Sequence, residues 1–304
     1  MRVVLLSGGG GGARFARGLA AVLDPGELTV IGNVGDDVEI LGLHVSPDLD
    51  SLLYTLAGLV DGERGWGRAD ETWNALDSAA GWGGENWFRL GDRDLGIHLV
   101  RTQLLRSGVP LSTITTGFAD LAGLATTIAP ATDDRLRTHV VTPAGRFAFQ
   151  EWFVGRRHAD DVDAVEYDGA SDARPGAGVL EALGAADAIV FAPSNPYLSI
   201  GPILAVEAVA EAIAARTVRC VAVSPLVGGA AVTGPLGRML TRMAGGTTPA
   251  HVTQCHKGLT DALVVDGADM PAEADVELVV ARTLMVDHDA ERRLAEVVLE
   301  TACG

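Results

Sequence analysis

The chain is 304 residues long, 48% hydrophobic and 21% charged, with a net charge of −17. That length allows one large or two small domains with a sizeable core. So acidic a chain, with Lys257 its only lysine, excludes a nucleic-acid partner, which would need clustered cations against the phosphate backbone.

An anionic ligand must therefore be met by arginines, backbone amides or a bound metal. Cys220, Cys255 and Cys303 stand far apart with no CxxC spacing, and read as reduced thiols, not as a disulfide framework or a zinc site. No apolar run reaches the length of a membrane span, and the chain enters a strand straight after Met1-Arg2, leaving no room for a signal peptide. A soluble, cytoplasmic protein with no membrane partner is expected.

Val3-Val4-Leu5-Leu6 reads as a central parallel strand covered on both faces. It runs into Ser7 and five glycines, Gly8 to Gly12, followed by Phe15, Leu19, Val22 and Leu23 at helical spacing. A strand, glycine loop and helix open a nucleotide-binding α/β unit, in which the backbone approaches a phosphate and the helix start faces it. Neither standard phosphate motif is met. The dinucleotide pattern wants an acid at the end of the second strand, where Gly32 and Asn33 stand, and the lysine of the other common loop is missing. A tight structural turn is the alternative.

Leu28-Thr29-Val30-Ile31-Gly32 is the second strand, and Asn33-Val34-Gly35-Asp36-Asp37 follows it. Ser46-Pro47-Asp48-Leu49-Asp50 then starts a helix running to Leu59. Four carboxylates so close, spaced by glycine and proline, repel one another unless a cation lies between them, and magnesium suits such a setting. Ser46 as N-cap and Pro47 at the first helical position also explain Asp48 and Asp50 by the helix dipole alone.

Residues 61–85 are rich in glycine and tryptophan, a lid or arm in which Trp66, Trp73 and Trp82, with Trp87 beyond, either stack on a flat ligand or anchor an irregular region. A helix should begin at Asp92 or Asp94, with Asp94, His98 and Arg101 one turn apart on a shared face. Leu111–Leu124 reads as a further helix. Arg137–Val154 changes to period two, a β-hairpin around Thr142-Pro143-Ala144-Gly145, and residues 154–178 read as peripheral.

Ala188–Ala192 is a strand, Pro193-Ser194-Asn195-Pro196 its loop, and Ile200–Ala215 a helix. Cys220–Val223 runs into Ser224–Gly229, Leu263–Val265 and Val276–Leu284 are strands, and Asp289–Ala302 is an amphipathic C-terminal helix. Four loops thus fall beyond strand carboxyl ends, where open sheets bind ligands. The expected fold is α/β, a Rossmann-like three-layer arrangement with a mainly parallel sheet plus an inserted arm and β-hairpin. One domain spans 1–304, with a peripheral insertion at about 61–180.

Several strings together resemble one family: Gly11-Gly12-Ala13-Arg14; Asn33 to Asp37; Ser46 to Asp50 with Tyr54-Thr55-Leu56; Gly65-Trp66-Gly67 before Glu71-Thr72-Trp73; Trp87-Phe88 with Leu90 to Asp94; and Pro193 to Pro196 with Ser199 to Leu204. The chain resembles the 2-phospho-L-lactate transferases of coenzyme F-420 biosynthesis, called CofD in archaea and FbiA in actinobacteria. The resemblance implies that a guanosine diphospho donor carries phosphoenolpyruvate or 2-phospholactate. The terminal ribityl hydroxyl of the deazaflavin Fo attacks the phosphorus bearing that acid, and GMP leaves.

It also implies Mg2+ and a homodimer. Asp37 would be the principal metal ligand with Asp48, while Asp36 or Asp50 helps to polarise the hydroxyl. Gly9, Gly10, Gly11, Gly12, Arg14, Ser194 and Asn195 would hold the donor phosphates and guanosine. Asp48, Trp66, Trp87, Asp92, Arg93 and His98 would meet Fo. Gly65-Trp66-Gly67 and His98 to Thr102 are of the actinobacterial type, which favours enolpyruvate. Two alternatives stand beside this: a non-catalytic nucleotide-sugar-binding regulator of the gluconeogenesis-factor type, and a nicotinamide-dependent dehydrogenase, which lacks its ribose acid here.

Overall fold

The apolar runs become strands because each is long enough to cross a sheet and apolar enough to be covered on both sides. The computed structural model describes residues 1–256 and 258–304; Lys257 lies outside the described residues. The central strands are β1 (Val3–Ser7), β2 (Leu28–Gly32), β3 (Thr127–Pro130), β4 (Ala188–Phe191), β5 (Cys220–Val223), β6 (Ala262–Asp266) and β7 (Glu277–Ala281). They lie in the order β7-β6-β5-β4-β1-β2-β3, all parallel. From β1 the chain first builds outward through β2 and β3, then returns to lay β4 on the other side. The Rossmann-like reading is borne out, and the crevice at that reversal is where such sheets bind ligands.

Helices α1 (Gly9–Ala20), α2 (Pro47–Leu56), α3 (Asn74–Gly81), α4 (Asp94–Arg106) and α5 (Leu111–Leu121) follow in chain order. Helix α1 buries Ala13, Phe15, Ala16 and Leu19, and the C-terminal helix His288–Cys303 packs along it. There the Arg17 guanidinium donates to both oxygens of buried Glu291. A Cβ on Gly18 would lie 2.4 Å from the carbonyl oxygen of Glu291, so the two helices touch backbone to side.

Four local expectations change. The glycines Gly9 to Gly12 are not a loop before the helix but its first turn. Thr127–Pro130, within the stretch expected to be peripheral, pairs with β2 in the central sheet. The hairpin is the edge of a three-stranded antiparallel sheet: Arg137–Thr142 pairs with Gly145–Ala148 on one side and with Ala164–Asp168 on the other. Its second strand stops at Ala148, because Glu151–Gly155 coils into a helical turn that buries Trp152. The helix after β4 is broken into Pro196–Ile200, Gly201–Leu204 and Glu207–Ala214, since Pro202 and the extended Val206 interrupt the ladder. Among the described residues no single helix is long and apolar enough to cross a membrane.

The close seat of Gly18 gives a stability test. Gly18→Ala should destabilise the chain by roughly 1–3 kcal/mol through overpacking. The measurement is the urea midpoint at unchanged slope; an unmoved midpoint would show that the C-terminal helix does not press on α1.

Candidate active site

Chain geometry at the switch point gathers four of the expected loops around one cavity of about 620 Å3. Gly8 to Gly11 and Arg14 line it from α1, Asp36 from the loop after β2, Asp48 and Asp50 from α2, Ser194 and Asn195 after β4, and Ser224 after β5. Asp48 is the tie between them. Its Oδ1 accepts from the backbone N of Gly9 at 2.8 Å, and its Oδ2 accepts from Asn33 Nδ2 at 2.9 Å. Asn33 Oδ1 in turn accepts from Gly35 N, which sets the turn carrying Asp36 and Asp37. A Cβ on Gly8 would meet Asp48 Oδ2 at 2.5 Å, so glycine is required for this approach.

The carboxylates are buried and close. Burial pushes Asp48 up to about 6, with added repulsion from Asp37, while hydrogen bonds from Asn33 and Gly9 pull the other way. Burial, then Asp48 and Asp37, hold Asp36 well above the usual carboxylate range. Asp37 lies behind the cavity wall, its Oδ2 accepting from Ser46 Oγ at 3.0 Å and lying 2.9 Å from His44 Nε2. Asp36 Oδ1 and Asp37 Oδ1 are both buried without a hydrogen-bond partner.

Two orphaned carboxylate oxygens beside a repelled pair suit a hard cation. Among the described residues no three His, Cys, Asp or Glu converge into a ready-made cage. One or two of these carboxylates, with water or substrate oxygens for the rest, would suit Mg2+.

On the second flank, α4 delivers the shared face expected from its spacing. Asp94 and His98 line the cavity with Tyr54, and Tyr54 OH donates to Asp94. Burial acts to raise the Asp94 carboxyl, but His98, Tyr54 and Arg101 outweigh it and hold it below the usual range. Burial, with Asp50 and Asp94 nearby, drives the Tyr54 phenol far up, so it stays a donor.

The arm supplies Trp66, Phe88 and Arg89 to the cavity. Trp66 is 51% exposed, with the Arg64 guanidinium 5.5 Å from its ring centre and 4.9 Å from that of Trp73, whose ring Arg89 also faces at 4.9 Å.

Three residues expected to meet the acceptor do not line the cavity. Asp92 accepts from Thr72, Asn74 and Ala75 and is held down at about 2 by them; it clamps the start of α3. Arg93 is exposed, reaching Asp70, while its backbone N donates to Glu71. Trp87 packs against the cluster of Ile40, Val45 and Leu90, with Phe88 edge-on to it. Of the residues expected to hold the donor, Gly9, Gly10, Gly11, Arg14, Ser194 and Asn195 line the cavity, with some groups committed: Ser194 Oγ donates to Gly8 O, and Asn195 Oδ1 accepts from Tyr197 and Leu198 N to cap the next turn. Gly12 is buried under Ser7 and Ser194 and does not line the cavity.

Sequence reading missed Tyr54, Arg89 and the wall made by Phe149, Gln150, Phe153 and Leu236. Only the helical offset of Tyr54 from Asp50 could have signalled any of them.

The family model described as 2-phospho-L-lactate transferase CofD matches residues 3–302. The chain belongs to the CofD family. It is 44% identical over 313 residues to a phosphoenolpyruvate transferase of Streptomyces griseus, covering 99% of this chain and 98% of that protein. The same identity and coverages hold for the phosphoenolpyruvate transferase of Streptomyces coelicolor. The protein is thus a transferase enzyme of a family of the coenzyme F-420 biosynthesis type. Among solved structures it is similar to a UPF0052 family member from Bacillus halodurans, with a TM-score of 0.67, 19% identity and 98% of each chain covered; this likeness is one of fold alone. The non-catalytic alternative gains nothing from it.

The charge cluster predicts a pH dependence. The folded chain keeps the Asp48 proton up to about 6, while the unfolded one releases it near 3.8. The Asp48 contribution therefore favours the folded state fully below 3.8 and fades as the pH rises to about 6. Without added metal, wild-type stability relative to Asp48→Asn should fall across that window and level off above it, in urea titrations at each pH. A constant difference throughout would refute the crowded-carboxylate picture.

Proposed function

We propose that this CofD-family transferase moves a phosphoenolpyruvyl group from a guanosine diphospho donor to the deazaflavin Fo, releasing GMP. The reading rests on one observation: the glycine-rich start of α1 and the buried Asp36, Asp48 and Asp50 face one cavity at the switch point. Free N–H groups of a helix start favour phosphate oxygens, and carboxylates suit a polyol hydroxyl. The names of the relatives favour enolpyruvate over lactate as the acid carried.

Gly10, Gly11 and Arg14 would bind the donor diphosphate, with Ser194 and Asn195 beside it. Trp66 would cover the flat ring of Fo. The ribityl hydroxyl forms the new P–O bond, the bond to the GMP oxygen breaks, and the hydroxyl proton passes to a carboxylate. Asp36 is better placed for that proton than Asp50, because Asp36 Oδ1 has no partner whereas both Asp50 oxygens meet Arg101. Asp37 and Asp48 would hold Mg2+, with water or donor oxygens completing its shell. When bound it neutralises diphosphate charge, the main demand in phosphoryl-type transfer. A homodimer, implied by the resemblance, and the cytoplasmic setting expected from the sequence belong to the same reading.

The test is GMP release from the guanylyl donor with Fo and Mg2+, with product mass compared for the enolpyruvyl and lactyl donors. Release should stop on chelation and return with Mg2+; silence with both donors sinks the proposal. Asp36→Asn should fold and lose about 10²-fold in turnover, the scale of one lost transition-state stabiliser. Trp66→Ala should weaken Fo binding in a fluorescence titration, and an unchanged affinity would leave Trp66 a surface anchor.

A further inference from the structure

Behind the acceptor side of the cavity lies a cation that never reaches it. Arg101, on α4, is 2% exposed and does not line the cavity. Its Nη1 donates to Asp50 Oδ2 at 3.0 Å, and its Nη2 donates to Asp50 Oδ1. His98 Nδ1 lies 3.3 Å from the same Nη1, and the Phe118 ring lies under the guanidinium, 5.7 Å from ring centre to Cζ. The guanidinium is thus held on three sides, and through it Asp50, which does line the cavity, is held in one orientation.

Stability is a weak reason for such a pair, because buried ion pairs can often be replaced by apolar residues without loss. Orientation is a better one. Each carboxylate oxygen has two lone-pair directions; a planar fork takes one from each and fixes the plane, leaving the others for a hydroxyl in the cavity. A lysine at the same place would keep the charge and lose the plane.

We propose that Arg101 is a positioning residue for the acceptor: it locks the Asp50 carboxylate in the plane that receives the polyol hydroxyls. The proposal rests on the transferase reading above. It assigns Arg101 no contact with either substrate. Its loss should damage the use of acceptor while sparing the nucleotide, whose phosphates are bound from α1.

Arg101→Lys is measured for acceptor kcat and KM, for GMP affinity by calorimetry, and for thermal midpoint. The acceptor kcat/KM should fall about 10²-fold, the scale of a misaligned hydrogen bond to a charged group, most of it in KM. GMP affinity should stay within about twofold of wild type, since uniform binding at the donor side is untouched. A folded variant with acceptor kcat/KM within about threefold of wild type overturns the proposal, and so does an equal loss of GMP affinity, the mark of general damage.

If the lysine variant does not fold, Phe118→Leu loosens only the ring under the guanidinium. The acceptor KM should then rise several-fold with GMP affinity constant, and an unmoved KM overturns the proposal. Wild-type protein that releases no GMP with Fo sinks the transferase reading itself and takes this role with it; activity in wild type with an indifferent Arg101 variant sinks this role alone.

Discussion

A single buried carboxylate holds the site together. Asp48 accepts one hydrogen bond from the first turn of α1 and another from Asn33 at the end of β2, so two elements from neighbouring strands meet at one side chain. Because Asp48 lies in the first turn of α2, the positive ends of α1 and α2 both point at it. Helix starts tolerate a buried negative charge better than any other backbone surface. That tolerance is partial: Asp36 and Asp37 crowd the same space, and burial pushes the carboxyls of Asp36 and Asp48 up.

This crowding separates the cavity into two chemical halves. Near α1 the wall is backbone amide and glycine, with Arg14 at the rim. Across from it stand carboxylates, a histidine and a phenol, and α4 backs two of them: Arg101 pairs with Asp50, and Asp94 accepts from Tyr54. An anionic ligand group and a hydroxyl-rich one would sort themselves between these halves by charge alone. The helical turn after the inserted sheet's strand Gly145–Ala148 lines the site through Phe149, Gln150 and Phe153, and Gln150 Nε2 donates to the Asp36 carbonyl. The insertion thus steadies the acid loop as well as covering it.

Trp87, Asp92 and Arg93 mark where local reading failed. All three lie in a string that resembles the family, yet Asp92 clamps α3, Arg93 faces solvent and Trp87 fills a small apolar cluster. A string can be tied to a site because it builds the arm that carries the ligands, here Phe88 and Arg89, and spacing alone does not separate the two uses. The glycines failed differently. Five in a row have no helix propensity to speak of, yet Gly9 to Gly12 coil because Phe15, Ala16 and Leu19 bury the same helix further on.

What the chain determined by itself was periodicity and charge. Apolar runs separated by helical spacing specify a parallel α/β sheet, and acids without lysines demand some other cation near phosphate. Asp94, His98 and Arg101 fall on one face whatever surrounds them, since that follows from the pitch of the helix. Only the tertiary structure decided which of these groups meet. The pairing of Arg101 with Asp50 joins residues 51 positions apart, and the orphaned oxygens of Asp36 and Asp37 depend on what is packed over them. Burial and partnership are properties of the space between elements, and no local pattern records that space.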